Sequence, residues 1–237
     1  MSGIKTRLEI LQKEIPKEVQ LMAVSKGQPS EKIKEATECG LSLFGENYVQ
    51  EFLEKWEATQ MNPVPAEAEI KPEDDIQWHF IGHLQTNKVK YIIDKVSSID
   101  SVDSLKLFQT IHKEAQKIQK KISILIEINV GGEKTKSGIS PKDVHSLLQA
   151  LPKSPWVELQ GLMAIPPFHE DPEKSRPYFK KMRTLQKELQ RQFPQFSLTE
   201  LSMGMTHDFK IAIEEGATQV RIGEGIFGKR QKWALRV

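Results

Sequence analysis

Cysteine occurs once in the 237 residues, at Cys39. No intramolecular disulfide can form, and no metal-type Cys/His spacing lies near it, so the chain suits a reducing compartment and Cys39 reads as a packing residue before Gly40. An excess of charge is also lacking. The 34 Lys and Arg nearly cancel the 32 Asp and Glu, which leaves no electrostatic footprint for nucleic acid. Basic pairs such as Lys120-Lys121 and Lys180-Lys181 fall in helix-like segments, as solvated faces. No apolar run approaches the length of a membrane span. Residues 1–20 mix Lys and Glu with apolar residues at helical spacing, which predicts an N-terminal helix over about 3–15 rather than the apolar core of a signal peptide. A cytoplasmic protein with neither nucleic acid nor membrane as partner is expected. Internal repeats and low-complexity tracts are missing as well.

What is present is a globular composition, with 38% apolar residues, four Trp and ten Phe, enough for a large core. The length matches one barrel of the usual ~250 residues, so residues 1–237 are read as a single domain. Short apolar, β-branched or aromatic runs occur at 21–25, 41–44, 76–81, 96–99, 122–130, 157–165, 198–202 and 219–222. Each is followed by a turn signal and then by a charged stretch. Residues 30–38, 47–56, 104–120, 141–151 and 176–192 have the periodicity of amphipathic helices. Eight β-then-α units predict a parallel (β/α)8 barrel, with a doubly wound open sheet as the alternative, since periodicity does not show closure. Residues 59–75, with Pro63, Pro65 and Pro72 among acidic residues, predict a surface loop.

In such barrels the chemistry sits where the strands end. Lys26 closes the first run, where desolvation of its ammonium would favour a nucleophilic amine able to form a Schiff base. Equally, the side chain could run out of the barrel mouth. Ser202-Met203-Gly204-Met205-Thr206 reads as opening a helix, and Arg221-Ile222-Gly223-Glu224-Gly225 runs into a short apolar turn. Small residues and exposed backbone N–H groups after strands seven and eight suit a phosphate; capping by Thr206 and turn-making by glycine are the plainer alternatives. Arg221 lies inside a strand and needs an acceptor. Glu127, Glu158 or a cofactor ring nitrogen would serve.

Ala23-Val24-Ser25-Lys26, Phe44-Gly45-Glu46-Asn47-Tyr48, the stretch from Trp78-His79-Phe80 to Thr86-Asn87-Lys88, Gly161-Leu162-Met163, Ser202-Met203-Gly204-Met205 and Val220-Arg221-Ile222-Gly223 together resemble the YggS/PROSC group, the pyridoxal 5′-phosphate homeostasis proteins. These are similar to the barrel domain of alanine racemase, of the fold-type III pyridoxal-phosphate proteins. The resemblance covers nearly the whole chain. It implies pyridoxal 5′-phosphate (PLP) held as a covalent aldimine on Lys26, with Ser202, Thr206 and Gly223 at the phosphate and Arg221 at the pyridine nitrogen. Asn47 and Met203 line the pocket by the same resemblance. Thr206 stands where the family often has Ser, and the 59–75 loop is longer than the family pattern.

A racemase needs an acid/base on each face of the substrate carbanion, and an aldimine lysine supplies one. In the racemase pattern the other is a tyrosine of a second domain, and here Tyr48, Tyr91 and Tyr178 fall in helix-like segments. An arginine at the ring nitrogen also weakens the electron sink. The expectation is therefore a non-catalytic protein that binds, buffers and delivers PLP to apoenzymes, with indirect effects on amino-acid and keto-acid metabolism, working as a monomer and without a metal. The alternatives are a PLP-dependent amino-acid racemase, in which His83 or Lys88 replaces the missing acid, and a phosphosugar enzyme with Lys26 as an aldolase-type lysine. His83 reads equally well as the cap of a helix starting near Gln85.

Overall fold

The computed structural model describes residues 3–61, 76–133 and 135–229. Eight parallel strands close in sequence order: β1 (Gln20–Val24), β2 (Leu43–Glu46), β3 (Gln77–Phe80), β4 (Ser98–Val102), β5 (Ile122–Ile128), β6 (Val157–Ala164), β7 (Glu200–Met205) and β8 (Gln219–Ile222). β8 pairs with β1 in the register Met22 to Arg221 and Ala23 to Ile222, so the open-sheet alternative is ruled out. The helices are α1 (Ile4–Glu14), α2 (Ser30–Glu38), α3 (Val49–Met61), α4 (Val89–Ile92), α5 (Leu105–Lys117), α6 (Val144–Ala150), α7 (Arg176–Gln192), α8 (Phe209–Glu214) and α9 (Glu224–Phe227).

Side-chain alternation along each strand divides the core in two. Ala23, Phe44, Trp78, Phe80, Ile99, Ile124, Ile126, Leu201, Val220 and Ile222 face outward and pack with helical residues such as Ile33, Phe52, Phe108 and Ala212 in one continuous cluster. Phe44, Phe52 and Trp78 join β2, β3 and α3, with ring centroids 5.5 and 5.6 Å apart. Such aromatic pairs add roughly 1 kcal/mol each beyond the area they bury. Met22, Val24 and Ile81 form a separate, smaller apolar cluster packed by Leu43, inside the barrel.

Three strands lie later than their apolar runs suggested, two of them for identifiable reasons. Leu41, read as the start of the second strand, instead finishes α2. Its N–H bonds the Ala36 carbonyl at 3.1 Å and the Gly40 N–H bonds Thr37 at 2.9 Å, with Gly40 at φ 91°. This is a Schellman ending with its hydrophobic residue. Leu198 sits at φ 47°, and its carbonyl accepts from Gln186 and Gln190. The seventh strand therefore begins at Glu200 and takes in residues 202–205, which do not open a helix as read; α8 starts only at Phe209. The fourth strand also shifts, to Ser98–Val102, and so contains Asp100 and Ser101. Thr59 and Gln60, assigned to the surface loop, extend α3; residues 62–75 of that loop lie outside the described residues.

Candidate functional site

The carboxyl end of the barrel is where the candidate residues gather. Lys26 lies two residues beyond β1, in a turn closed by the Gln28 N–H on the Ser25 carbonyl at 3.0 Å. Gly27 holds φ 69° there, a left-handed conformation that glycine adopts without strain. Lys26 itself is half-buried. On the neighbouring strand, a Cβ added to Gly223 would lie 3.2 Å from the Val24 carbonyl. The glycine turn after β8 is thus pressed against the end of the strand that leads into Lys26. Thr206 reaches the same turn from β7, its hydroxyl accepting the Gly225 N–H at 3.3 Å. It does not cap α8, whose cap is Asp208. Asp208 instead closes the turn after β7, accepting the Met205 N–H at 2.8 Å.

After β2, Asn47 is locked against Gly82. A Cβ on Gly82 would meet the Asn47 carbonyl oxygen at 2.1 Å, so only glycine admits this approach. The Asn47 Oδ1 is buried and lacks a partner among the described residues, an arrangement that favours a ligand donor, because an unsatisfied buried acceptor costs about 1–3 kcal/mol. Lys26, Asn47, Thr206 and Gly223 therefore come from four consecutive strands: β7, β8, β1 and β2.

Arg221 points into the barrel, buried, donating to the Ser202 hydroxyl at 2.7 Å and to the Ala164 carbonyl at 2.8 Å. Burial lowers its guanidinium from the ordinary value, opposed by the charges of Asp100, Glu127 and Asp208; arginine starts high enough to stay charged. Of the two acids considered for it, Glu158 pairs with Lys121 at 2.8 Å on the surface. Glu127 is the buried one, and its charge acts on Arg221. Burial, with Asp103 adding and Arg221 opposing, pushes the Glu127 carboxyl up to about 7.

Two of the expected residues sit apart from the strand-end turns. The Ser202 hydroxyl, expected at a phosphate, is fully buried and bonds Gln219 Oε1 at 2.7 Å while accepting from Arg221, so it orients the guanidinium. Met203 puts its side chain into the main core, not into the mouth. His83 does not cap a helix: Gln85 is the N-cap of the turn at Thr86–Lys88 and makes no side-chain cap bond. The His83 imidazole is 61% exposed and 3.9 Å from Asp103, and Lys88 is exposed, lying 5.7 Å from the Tyr91 ring centroid.

Sequence reasoning missed the polar interior below Arg221. Asp100 accepts from Ser98 at 2.5 Å and lies 3.0 Å from His79 Nδ1. The sequence signal was weak: Asp100 and Ser101 stand just past the run at 96–99, between Ile99 and Val102. It also missed Lys55 and Glu51 on α3, which bond the segment around Lys26. Among the described residues no cluster of three or more His, Cys, Asp or Glu could hold a metal ion, and no helix is long and apolar enough to cross a membrane.

Both the sequence and the fold match known proteins. Residues 1–231 match the model of the alanine racemase N-terminal domain. A pyridoxal phosphate homeostasis protein of Aquifex aeolicus is 49% identical over 211 residues, 89% of this chain and 87% of that protein. PipY of Synechococcus elongatus, solved with PLP bound, superposes with a TM-score of 0.85 at 35% identity, over 95% of this chain and all of PipY. Alanine racemase of Clostridium difficile shares the fold, with a TM-score of 0.68 at 15% identity, this chain spanning 57% of it.

Proposed function

The chain belongs to the pyridoxal phosphate homeostasis family, built on the alanine racemase N-terminal domain, and on that premise we propose how it holds its cofactor and what it does with it. It is a PLP-binding protein of cofactor homeostasis. Lys26 is the amine that holds the cofactor covalently. Thr206, Gly223 and Gly225 hold the phosphate, Asn47 offers its unpartnered Oδ1 to the ligand, and Arg221, fixed by Ser202 and the Ala164 carbonyl, faces the ring nitrogen. The single observation that carries this placement is the seam of β8 and β1, where Gly223 packs against the Val24 carbonyl and brings the anion-holding turn beside the lysine.

Bound to a lysine, pyridoxal phosphate supplies a reversible carbonyl anchor and, in enzymes, an electron sink. Arg221 bears on which of these is used. A guanidinium donates hydrogen bonds and accepts none, so it holds a ring nitrogen in the unprotonated state, which withdraws electrons poorly. The proposed role is accordingly non-catalytic: binding, buffering and release of PLP to apoenzymes. A working monomer is part of the proposal, since none of the roles given to these residues needs a second subunit, and the lone Cys39 thiol supports a cytoplasmic setting.

The test is the absorbance spectrum of the purified protein with added PLP, before and after borohydride, beside Lys26→Ala. A visible band that reduction locks onto the peptide bearing Lys26, with no racemisation or transamination of amino acids, is expected. A colourless protein that ignores PLP would overturn the reading. So would amino-acid turnover that depends on Lys26, which would make the chain an enzyme.

A further inference from the structure

Each of the other three residues in the turn around Lys26 is bonded to a neighbouring element. Ser25 donates its N–H to the Gly45 carbonyl at 3.1 Å and its hydroxyl to Glu46 Oε1 at 2.6 Å. Gly27 donates its N–H to Glu51 Oε1 at 2.5 Å. Gln28 accepts from Lys32 Nζ of α2 at 3.0 Å, and Lys32 also donates to the Phe227 carbonyl. One side chain gathers most of this. Lys55 Nζ donates to the Ser25 carbonyl at 2.7 Å, to Glu46 Oε1 at 2.6 Å and to Glu51 Oε1 at 2.5 Å, which uses all three of its protons.

This cluster is expensive to build. The Lys55 side chain is 6% exposed and that of Glu46 is not exposed at all, and burying charge is unfavourable unless every partner is in place. Burial pushes the Glu46 carboxyl up, and Lys55 and Ser25 pull it back. The barrel does not need the cluster to join β2 to α3, since Phe44, Phe52 and Trp78 already do so. What the cluster does reach is the backbone on both sides of Lys26.

We infer that Lys55, acting with Glu46 and Glu51, is a positioning residue for Lys26: it holds the turn in one conformation, so that the amine stands in the same place in the free and the loaded protein. This rests on the reading that Lys26 holds PLP. An amine on a pre-set backbone loses less freedom when its bond to the cofactor forms, and the loaded state is held longer. The cluster also sets the charge beside that nitrogen, with Glu46, Glu51 and Lys55 bonded at Ser25 and Gly27 and Lys32 bonded at Gln28.

The experiment compares the full-length wild type with Lys55→Met, Lys55→Arg and Glu51→Gln, each loaded with PLP. It reads the pH titration of the cofactor absorbance band and the rate at which excess hydroxylamine strips the cofactor. Lys55→Met removes a positive charge and leaves the carboxylates, so the titration midpoint rises by about one pH unit, and stripping quickens about tenfold. Lys55→Arg keeps charge and donors and restores both to within about twofold of wild type. Glu51→Gln keeps an acceptor for the Gly27 N–H but loses a negative charge, so its midpoint falls by about half a unit. Opposite shifts from the two α3 variants are what a purely structural contribution does not produce. Wild-type midpoints and stripping rates in both would overturn the proposal; if Lys55→Met does not fold, Glu51→Gln decides by its downward shift or the lack of one. Failure of the underlying reading shows separately, as a wild type that takes up no PLP or a Lys26→Ala protein that keeps the band, and it sinks the positioning role as well.

Discussion

Arg221 donates to the Ser202 hydroxyl at 2.7 Å across the β7–β8 seam, and the same hydroxyl donates to Gln219 at 2.7 Å. A small side chain thereby relays between two buried groups of one strand. Ser202→Ala would leave Gln219 Oε1 without this donor and one guanidinium N–H without this acceptor. A loss of about 1–3 kcal/mol in urea denaturation is expected, together with weaker PLP binding from a guanidinium that is no longer held. Unchanged stability would mean that water replaces the hydroxyl in both bonds.

Thr206 tests the phosphate assignment. Its hydroxyl holds the Gly225 N–H, so Thr206→Val, nearly equal in shape, should raise the Kd for PLP about tenfold, the worth of one hydrogen bond. Thr206→Ser should stay close to wild type. An absorbance titration distinguishes them, and equal Kd values for Val and Thr would remove Thr206 from the site.

Gly82 has no room for a methyl group. Gly82→Ala would put Cβ 2.1 Å from the Asn47 carbonyl oxygen, backbone that moves only with the β2 loop. A destabilisation of at least about 1–3 kcal/mol is expected, with PLP affinity falling alongside because Asn47 is displaced. Thermal melts and a cofactor titration check both; an affinity loss without a stability loss would mean that the loop yields easily.

Glu127 gives a pH signature. Its carboxyl is raised from 4.5 to about 7 by burial, then by Asp103, against the pull of Arg221. A raised folded-state value means that the folded protein holds the proton more tightly than the unfolded chain. Its stabilising contribution is therefore full below about pH 4.5 and is lost as pH rises through about 7. The span corresponds to roughly 3 kcal/mol. Glu127→Gln should flatten the fall in stability between about pH 5 and 8, measured by denaturation at several pH values. An unaltered slope would show that the carboxyl titrates normally.

Much of the fold was legible because helices and strands bury apolar residues with different periods. The spans of α2, α7 and β8 coincide with their patterns in the sequence. Leu41 and Leu198 misled because an apolar residue that ends a helix or sits in a tight turn looks, one position at a time, like one that begins a strand. Lys26, Asn47, Thr206 and Gly223 were readable as candidates because a barrel exposes the residues just past each strand end, and that position is local information. Ser202 and Met203 lie within a strand, where facing depends on where the strand starts, so the direction of their side chains was not legible.

The sequence by itself determined the eight β/α units, the balance of charge and the lysine and glycine turns at the strand ends, since each depends on composition or on neighbours a few residues away. Only the tertiary structure decided closure, the pairing of Arg221 with Ser202, and the bond from Lys55 to the turn of Lys26. Strands of a parallel barrel are buried on both faces, so their apolar runs do not show which side chains look inward. The partners in these contacts are 19 and 30 residues apart in the chain. No local spacing encodes such a meeting; it depends on which strand lies beside which when the barrel closes.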